Sequence, residues 1–199
     1  MRPFDVARRV ALPRVLRRST LGAVIATAIA AAGCGTDDPP PRTAGSVPID
    51  NVERGTGYEL IAPEGWRNAT RSFDGSALRL DLVVAGDPAD GFRPNVTVVR
   101  ETPPGEITLA GVVERFQEQV QRLADDSGIG KVGDITLDGE PAKTYSYGVE
   151  GDSSPAIRQR QVVCVRDGAV YTVTFSHTRA AFSEFEPIID RVLDSWRWR

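Results

Sequence analysis

Histidine occurs once in this 199-residue chain, at His177, and cysteine twice, at Cys34 and Cys164. Zinc sites draw on several His and Cys side chains at ligand spacing, and His177 has no such companions. A catalytic serine needs a base and an orienting acid, and the chain has no G-x-S-x-G elbow to present one. The block "GVEGDSSP" (148–155) reads as a surface loop between strands. No Asp-x-Asp-x-Asp-Gly ladder for calcium is present. The acid pairs in "GDPADG" (86–91) and "ADDSG" (124–128) read as solvated loop and helix end. The expectation is therefore no catalytic residue, no metal and no cofactor, with His177 at a rim or helix entry. Also missing are an internal repeat and an apolar run of the ~20 residues that a spanning helix needs.

The apolar stretch that does exist is Leu21 to Cys34, and it follows six arginines, Arg2, Arg8, Arg9, Arg14, Arg17 and Arg18. A basic start, an apolar segment and a run of small residues make an export signal. An ordinary signal would be cut after an Ala-x-Ala pattern. The alternative uses Cys34. The segment "AAGC" (31–34) resembles the lipobox of bacterial lipoproteins, with Ala32 and Gly33 at the small positions and Ala31 where that pattern usually has Leu. The resemblance implies cleavage before Cys34 and a diacylglycerol on its sulfur, usually with an N-acyl chain. Two or more chains anchor a protein stably where one does not. The following "GTDDPPPRTAGSVP" has little to bury and reads as a semi-extended linker.

Without its first 33 residues the chain keeps 18 of 24 Lys and Arg and 26 of 27 Asp and Glu, a formal net of −8. Nucleic acid is excluded as an expected partner, since its binding rests on Lys and Arg neutralising phosphates. With Cys34 lipidated, Cys164 has no partner for a disulfide, and in "QVVCVR" it reads as a buried structural thiol. The expected division is residues 1–33 signal peptide, 34–55 lipidated cysteine and linker, and 56–199 one folded domain.

Within that domain "YELIAPEGW" (58–66) reads as a strand, a turn and a tryptophan. "ALRLDLVVAG" (77–86) alternates, placing Leu78, Leu80, Leu82 and Val84 on one face and Arg79 and Asp81 on the other. "NVTVVRE" (95–101) is the next strand. "TLAGVVERFQEQVQRLADDSG" (108–128) is a helix whose apolar stripe is Val112, Val113, Phe116, Val120 and Leu123, capped by Thr108. Two hairpins follow, turning at Asp138-Gly139 and Asp167-Gly168, because glycine accepts the positive φ of a tight turn. The closing helix carries Phe185, Ile188, Ile189, Val192, Leu193 and Trp196 on one face. Ser183 and Glu186 stand at capping-box spacing, with Pro187 near the first turn. Helices apolar on one side only should cover an antiparallel sheet, an α+β fold.

The strand running into "PEGW", the mid-chain helix, the "DGEPAKTYSY" hairpin, the "VYTVTFS" strand and the ending "FEPIIDRVLDSWRW" together resemble the Mog1/PsbP-like superfamily. Within it the resemblance is specifically to the LpqN-type lipoproteins of actinobacteria. The resemblance implies an α/β/α sandwich and an accessory or partner-binding role, with no catalytic set to carry over. Trp66 and Trp196 are expected in the core. Trp198, between Arg197 and Arg199, has the composition of an interface residue. The expected function is a lipid-anchored, non-catalytic binding domain on the extracytoplasmic face of the cell membrane. It would bind an envelope protein or an apolar ligand. An envelope hydrolase using His177 and a structural assembly factor are the alternatives.

Overall fold

A computed structural model describes residues 51–74, 79–120, 129–130, 132–149 and 155–199. Cys34, the expected signal and most of the expected linker lie outside the described residues, as do residues 121–128 of the expected first helix and most of "GVEGDSSP". In chain order the elements are β1 (Val52–Gly55), β2 (Tyr58–Ile61), β3 (Arg67–Asn68), a 3₁₀ turn (Thr70–Phe73), β4 (Leu80–Ala85), β5 (Asn95–Glu101) and α1 (Leu109–Val120). Then follow β6 (Gly133–Leu137), β7 (Glu140–Val149), β8 (Ile157–Arg166), β9 (Ala169–Thr178), α2 (Phe182–Asp194) and β10 (Arg197–Trp198). The expected linker ran through residue 55. Its last residues instead form β1, hydrogen-bonded to β2, so the folded part begins earlier than composition indicated.

Seven strands make one antiparallel sheet in the order β3-β4-β5-β9-β8-β7-β6, and β1-β2-β10 make a smaller one. α1 covers one face of the large sheet. α2 and the small sheet cover the other, so the fold is α+β with helices on both sides. Both hairpins turn where Asp-Gly predicted, with Asp138 and Gly139 at φ 47 and 86, and Asp167 and Gly168 at φ 50 and 70. Positive φ at both turn positions matches the right-handed twist of the strands.

β9 sits at the centre, between β5 and β8. Its Tyr171, Val173 and Phe175 enter the core under α2. Thr172, Thr174 and Ser176 face the other way and are also buried. Two of these three hydroxyls meet cross-strand amides: Gln159 Nε2 donates to Ser176 Oγ (2.9 Å) and Gln161 Nε2 to Thr174 Oγ1 (3.0 Å). Tyr145 completes the row by donating to Gln161 Oε1 (3.1 Å). Buried polar groups are tolerated when they are bonded in this way.

Two local expectations are corrected. The alternation of β4 breaks at Asp81: Leu80 pairs with Val99 and Leu82 with Val98, a β-bulge. Because Val98 and Val99 point to opposite faces, so do Leu80 and Leu82. The extra residue in a bulge shifts the phase of everything before it. Leu78 lies outside the described residues. The capping box is also absent. α2 begins one residue before Ser183, its N-cap is Ala181 with no side-chain bond, and Pro187 lies inside the helix. There Pro removes one i→i−4 bond, which the packing of Phe182, Phe185, Ile189, Val192 and Leu193 outweighs.

Candidate functional site

In a strand successive side chains alternate faces, and this decides what the chain end presents. β10 pairs with β2 so that Trp198 opposes Tyr58 and Arg197 opposes Glu59. Tyr58 is fully buried, so Trp198 turns inward with it, while Arg197 turns outward. Trp198 is half-buried against the core. Its indole meets Tyr171 and Trp196 edge-on, at 4.9 and 5.2 Å between centroids. Its Nε1–H donates to Leu137 O (2.8 Å) and its backbone N–H to Asp138 Oδ2 (2.8 Å). The Arg166 guanidinium lies 4.8 Å over its ring. The Trp–Arg composition of "SWRWR" is thus divided: the indole holds the strand in place and the arginines face out.

The outward face of the small sheet carries Arg54, Glu59 and Arg197 in cross-strand register, with Ile61 two residues along β2. Ile61 is the one large hydrophobic side chain among the described residues that is strongly exposed, at 47%. Arg54 Nε lies 3.4 Å from Glu59 Oε2, and Arg199 makes a closer ion pair with the same carboxylate. The Arg199 hydrogen bond, helped by the charges of Arg199 and Arg54, holds the Glu59 carboxyl below the usual carboxylate range. Two guanidinia, Arg54 and Arg199, thus meet the one Glu59 carboxylate, while Arg197 Nη1 lies 3.8 Å from Asp138 Oδ1 and donates to Asp194 O (2.9 Å). Arg54, Glu59 and Ile61 escaped the sequence reading. The signal was present, since alternation that buries Tyr58 and Leu60 leaves Glu59 and Ile61 on the other face of β2.

Behind this face the β1–β2 turn is strapped to the large sheet by the bulge. Asp81 accepts from Thr56 N (2.8 Å) and Thr56 Oγ1 (2.6 Å), and Tyr171 OH donates to Thr56 O (3.3 Å). Arg100 Nε in turn donates to Tyr171 OH (3.2 Å). The bulge therefore re-aims an acid that simple alternation would have left on the solvent side.

His177 ends β9 on the α2 side, its ring 5.3 Å from that of Phe185, with Nδ1 3.3 Å from Thr178 Oγ1. Phe185 also stacks on Trp66, which is half-buried. Burial pushes the imidazole below its ordinary value, and the nearby Asp90 and Glu184 only partly offset this. As the chain's single histidine, His177 should give one imidazole resonance that titrates below 6.5. The sign follows from linkage: a depressed cation pKa means the unfolded chain binds the proton more readily. Its contribution to stability is present above the unfolded value and is lost as pH falls below it. A midpoint at or above 6.5 in an NMR titration would remove this account of its packing.

Cys164 is buried and unpaired, and burial pushes its thiol up to about 11, as a structural cysteine requires. Among the described residues no three His, Cys, Asp or Glu gather as a metal site, and no helix is long and apolar enough to cross a membrane. A pocket of about 120 Å³ lies between the 3₁₀ turn and the sheet, lined by Ala69, Phe73, Val83, Ala85, Arg93 and Asn95 among others.

Residues 50–198 match the model of the PsbP family, and the chain belongs to that family. The solution structure of cyanobacterial PsbP from Synechocystis is similar, at 20% identity and a TM-score of 0.55, over 81% of this chain and all of that one. LpqN of Mycobacterium tuberculosis, described as involved in cell envelope biogenesis, matches at 16% identity and a TM-score of 0.55, over 72% of this chain and 84% of LpqN. A Pseudomonas aeruginosa protein of unknown function, PA94, a putative regulator by its description, matches at 20% identity and a TM-score of 0.51, over 74% of this chain and 96% of its own. At these identities the likeness is one of fold. No curated protein sequence matches the chain.

Proposed function

We propose that the chain is a cell-envelope lipoprotein, anchored to the membrane through lipid on Cys34, whose folded domain works by binding another envelope protein. The observation that carries the reading is the outward face of the small sheet. Exposed Ile61 beside Arg54, Arg197 and Arg199 combines an apolar contact with guanidinium groups, the composition of interface hot spots. Trp198 serves from beneath, holding the strand that presents the arginines. The partner is then a protein with an acidic surface, since the guanidinia favour carboxylates. The likeness to LpqN supports an envelope setting, and the "AAGC" motif supports the anchor.

The test is crosslinking in cells followed by intact mass of the mature chain. The expected result is a lipid mass on Cys34, lost with membrane association in Cys34→Ala, and a crosslinked envelope protein. The double variant Arg54→Ala, Arg197→Ala should lose that crosslink while keeping a single cooperative urea transition. An unlipidated secreted product would remove the anchor, and an undiminished crosslink would remove the surface. The rival hydrolase reading is served by His177→Ala: ester or peptide hydrolysis by the wild type that is lost in the variant would replace binding with catalysis.

A further inference from the structure

On the opposite flank of α2 an open groove of about 290 Å³ runs between the helix and strands β7 and β8. Arg158 and Arg160 stand two residues apart on β8 and share the face that looks into it. Arg160 is fixed. Its Nε donates to Thr144 Oγ1 (3.2 Å) and its Nη1 to Asp190 Oδ1 (2.8 Å). Arg158 is exposed and has no carboxylate at ion-pair distance among the described residues. Its guanidinium lies 5.6 Å over the Phe182 ring, which orients it without neutralising it. Gly148 is its register neighbour on β7 and offers no side chain to meet it.

Across the groove is Glu186, one helical turn before Asp190. Asp190 is spent on Arg160. Glu186 makes no ion pair with any described residue, including Arg158. The floor is polar as well, with Ser146 opposite Arg160 in the β7–β8 register. Gly130 approaches β7 closely enough to donate to Ser146 O (2.7 Å). A Cβ there would stand 3.1 Å from that oxygen, so glycine lets the wall of the groove close up on the strand.

One uncommitted guanidinium and one uncommitted carboxylate therefore line the same groove without pairing. We infer that the groove binds a small zwitterion, an oxyanion seated on Arg158 with Ser146 beside it and an ammonium group at Glu186. A plain anion would meet the Glu186 carboxylate and a plain amine the Arg158 guanidinium, whereas a ligand carrying both charges completes both. The guanidinium fork fits the two oxygens of a phosphate or carboxylate. A phosphate ester with an amine, free or as a lipid headgroup, has this chemistry and fits the volume. The inference is independent of the protein-binding face on the small sheet.

The experiment uses the full chain carrying Cys34→Ala, titrated in turn with phosphoethanolamine, inorganic phosphate and ethanolamine while the backbone amides of Gly130, Gly133 and Ser146 are followed by NMR. Phosphoethanolamine should shift these amides at millimolar concentration and bind about tenfold more tightly than either half alone. Arg158→Ala should weaken it by about tenfold with the rest of the spectrum unchanged, and Arg158→Lys by less, because it keeps charge but loses the fork. Glu186→Gln should abolish the preference for phosphoethanolamine over phosphate. Binding of phosphatidylethanolamine vesicles over phosphatidylcholine ones would identify a lipid headgroup as the source, and binding of the soluble compound alone a free metabolite. Unmoved amides, equal affinity for phosphate and phosphoethanolamine in the wild type, or an Arg158→Ala variant that binds normally would each overturn the proposal.

Discussion

Trp196→Ala is expected to cost about 3–5 kcal/mol, the range for removing a fully buried large aromatic side chain. Trp196 has no exposed surface, and its ring stacks on Tyr58 at 4.1 Å and 7° between planes. It lies two residues past the end of α2 and packs between the small sheet and the large one, so the cavity opens where three elements meet. Partial collapse is difficult there, because Trp198 and Tyr171 are themselves held by hydrogen bonds. A single domain has roughly 5–15 kcal/mol in all, so the variant should be near the edge of folding. Urea unfolding measures this directly. A loss below about 1 kcal/mol would mean that the small sheet contributes little to the fold.

Gly55→Ala is the second large effect, and it arises from lack of room and not from backbone conformation. Gly55 opposes Tyr58 across the β1–β2 turn, and the Tyr58 ring lies over it. A Cβ at Gly55 would stand 2.1 Å from Tyr58 Cζ and 2.4 Å from Asp81 Oδ2, distances at which something must move. Moving Tyr58 breaks the Trp196 stack. Moving Asp81 breaks its bonds to Thr56. The expected cost is about 2–3 kcal/mol, at the upper end for overpacking. If the strap is the cause, Gly55→Ala added to Asp81→Ala should cost less than the two apart. Strict additivity would show that the clash is relieved elsewhere.

These positions mark how far the chain was readable. The hairpins at Asp138-Gly139 and Asp167-Gly168 were legible because a positive φ at a turn has few residues that accept it. The stripe of α2 was legible over Phe185, Ile188, Ile189, Val192 and Leu193 because a 3.6-residue period keeps them on one face, whereas Trp196, expected on the same stripe, lies past the helix end at Asp194. The α1 stripe was legible over Val112, Val113 and Phe116 for the same reason. β1 was not legible, because "VERG" lies next to the linker and owes its strand conformation to pairing with β2. The bulge at Asp81 was not legible either. A clean alternation concealed it, and only the partner strand β5 reveals that one residue is extra. Trp198 shows the same limit from the other side: composition marked it with its arginines, and register separated them.

By itself the sequence determined the local matters. These were the two amphipathic helices and the tight turns. Each rests on interactions within a few residues or on periodicity along one element. Only the tertiary structure decided which faces are buried twice, where Asp81 points, that Ile61 and three arginines share one surface, and that Arg158 and Glu186 line one groove unpaired. Those facts depend on strand register and on packing between residues far apart in the chain, and no short-range pattern encodes them.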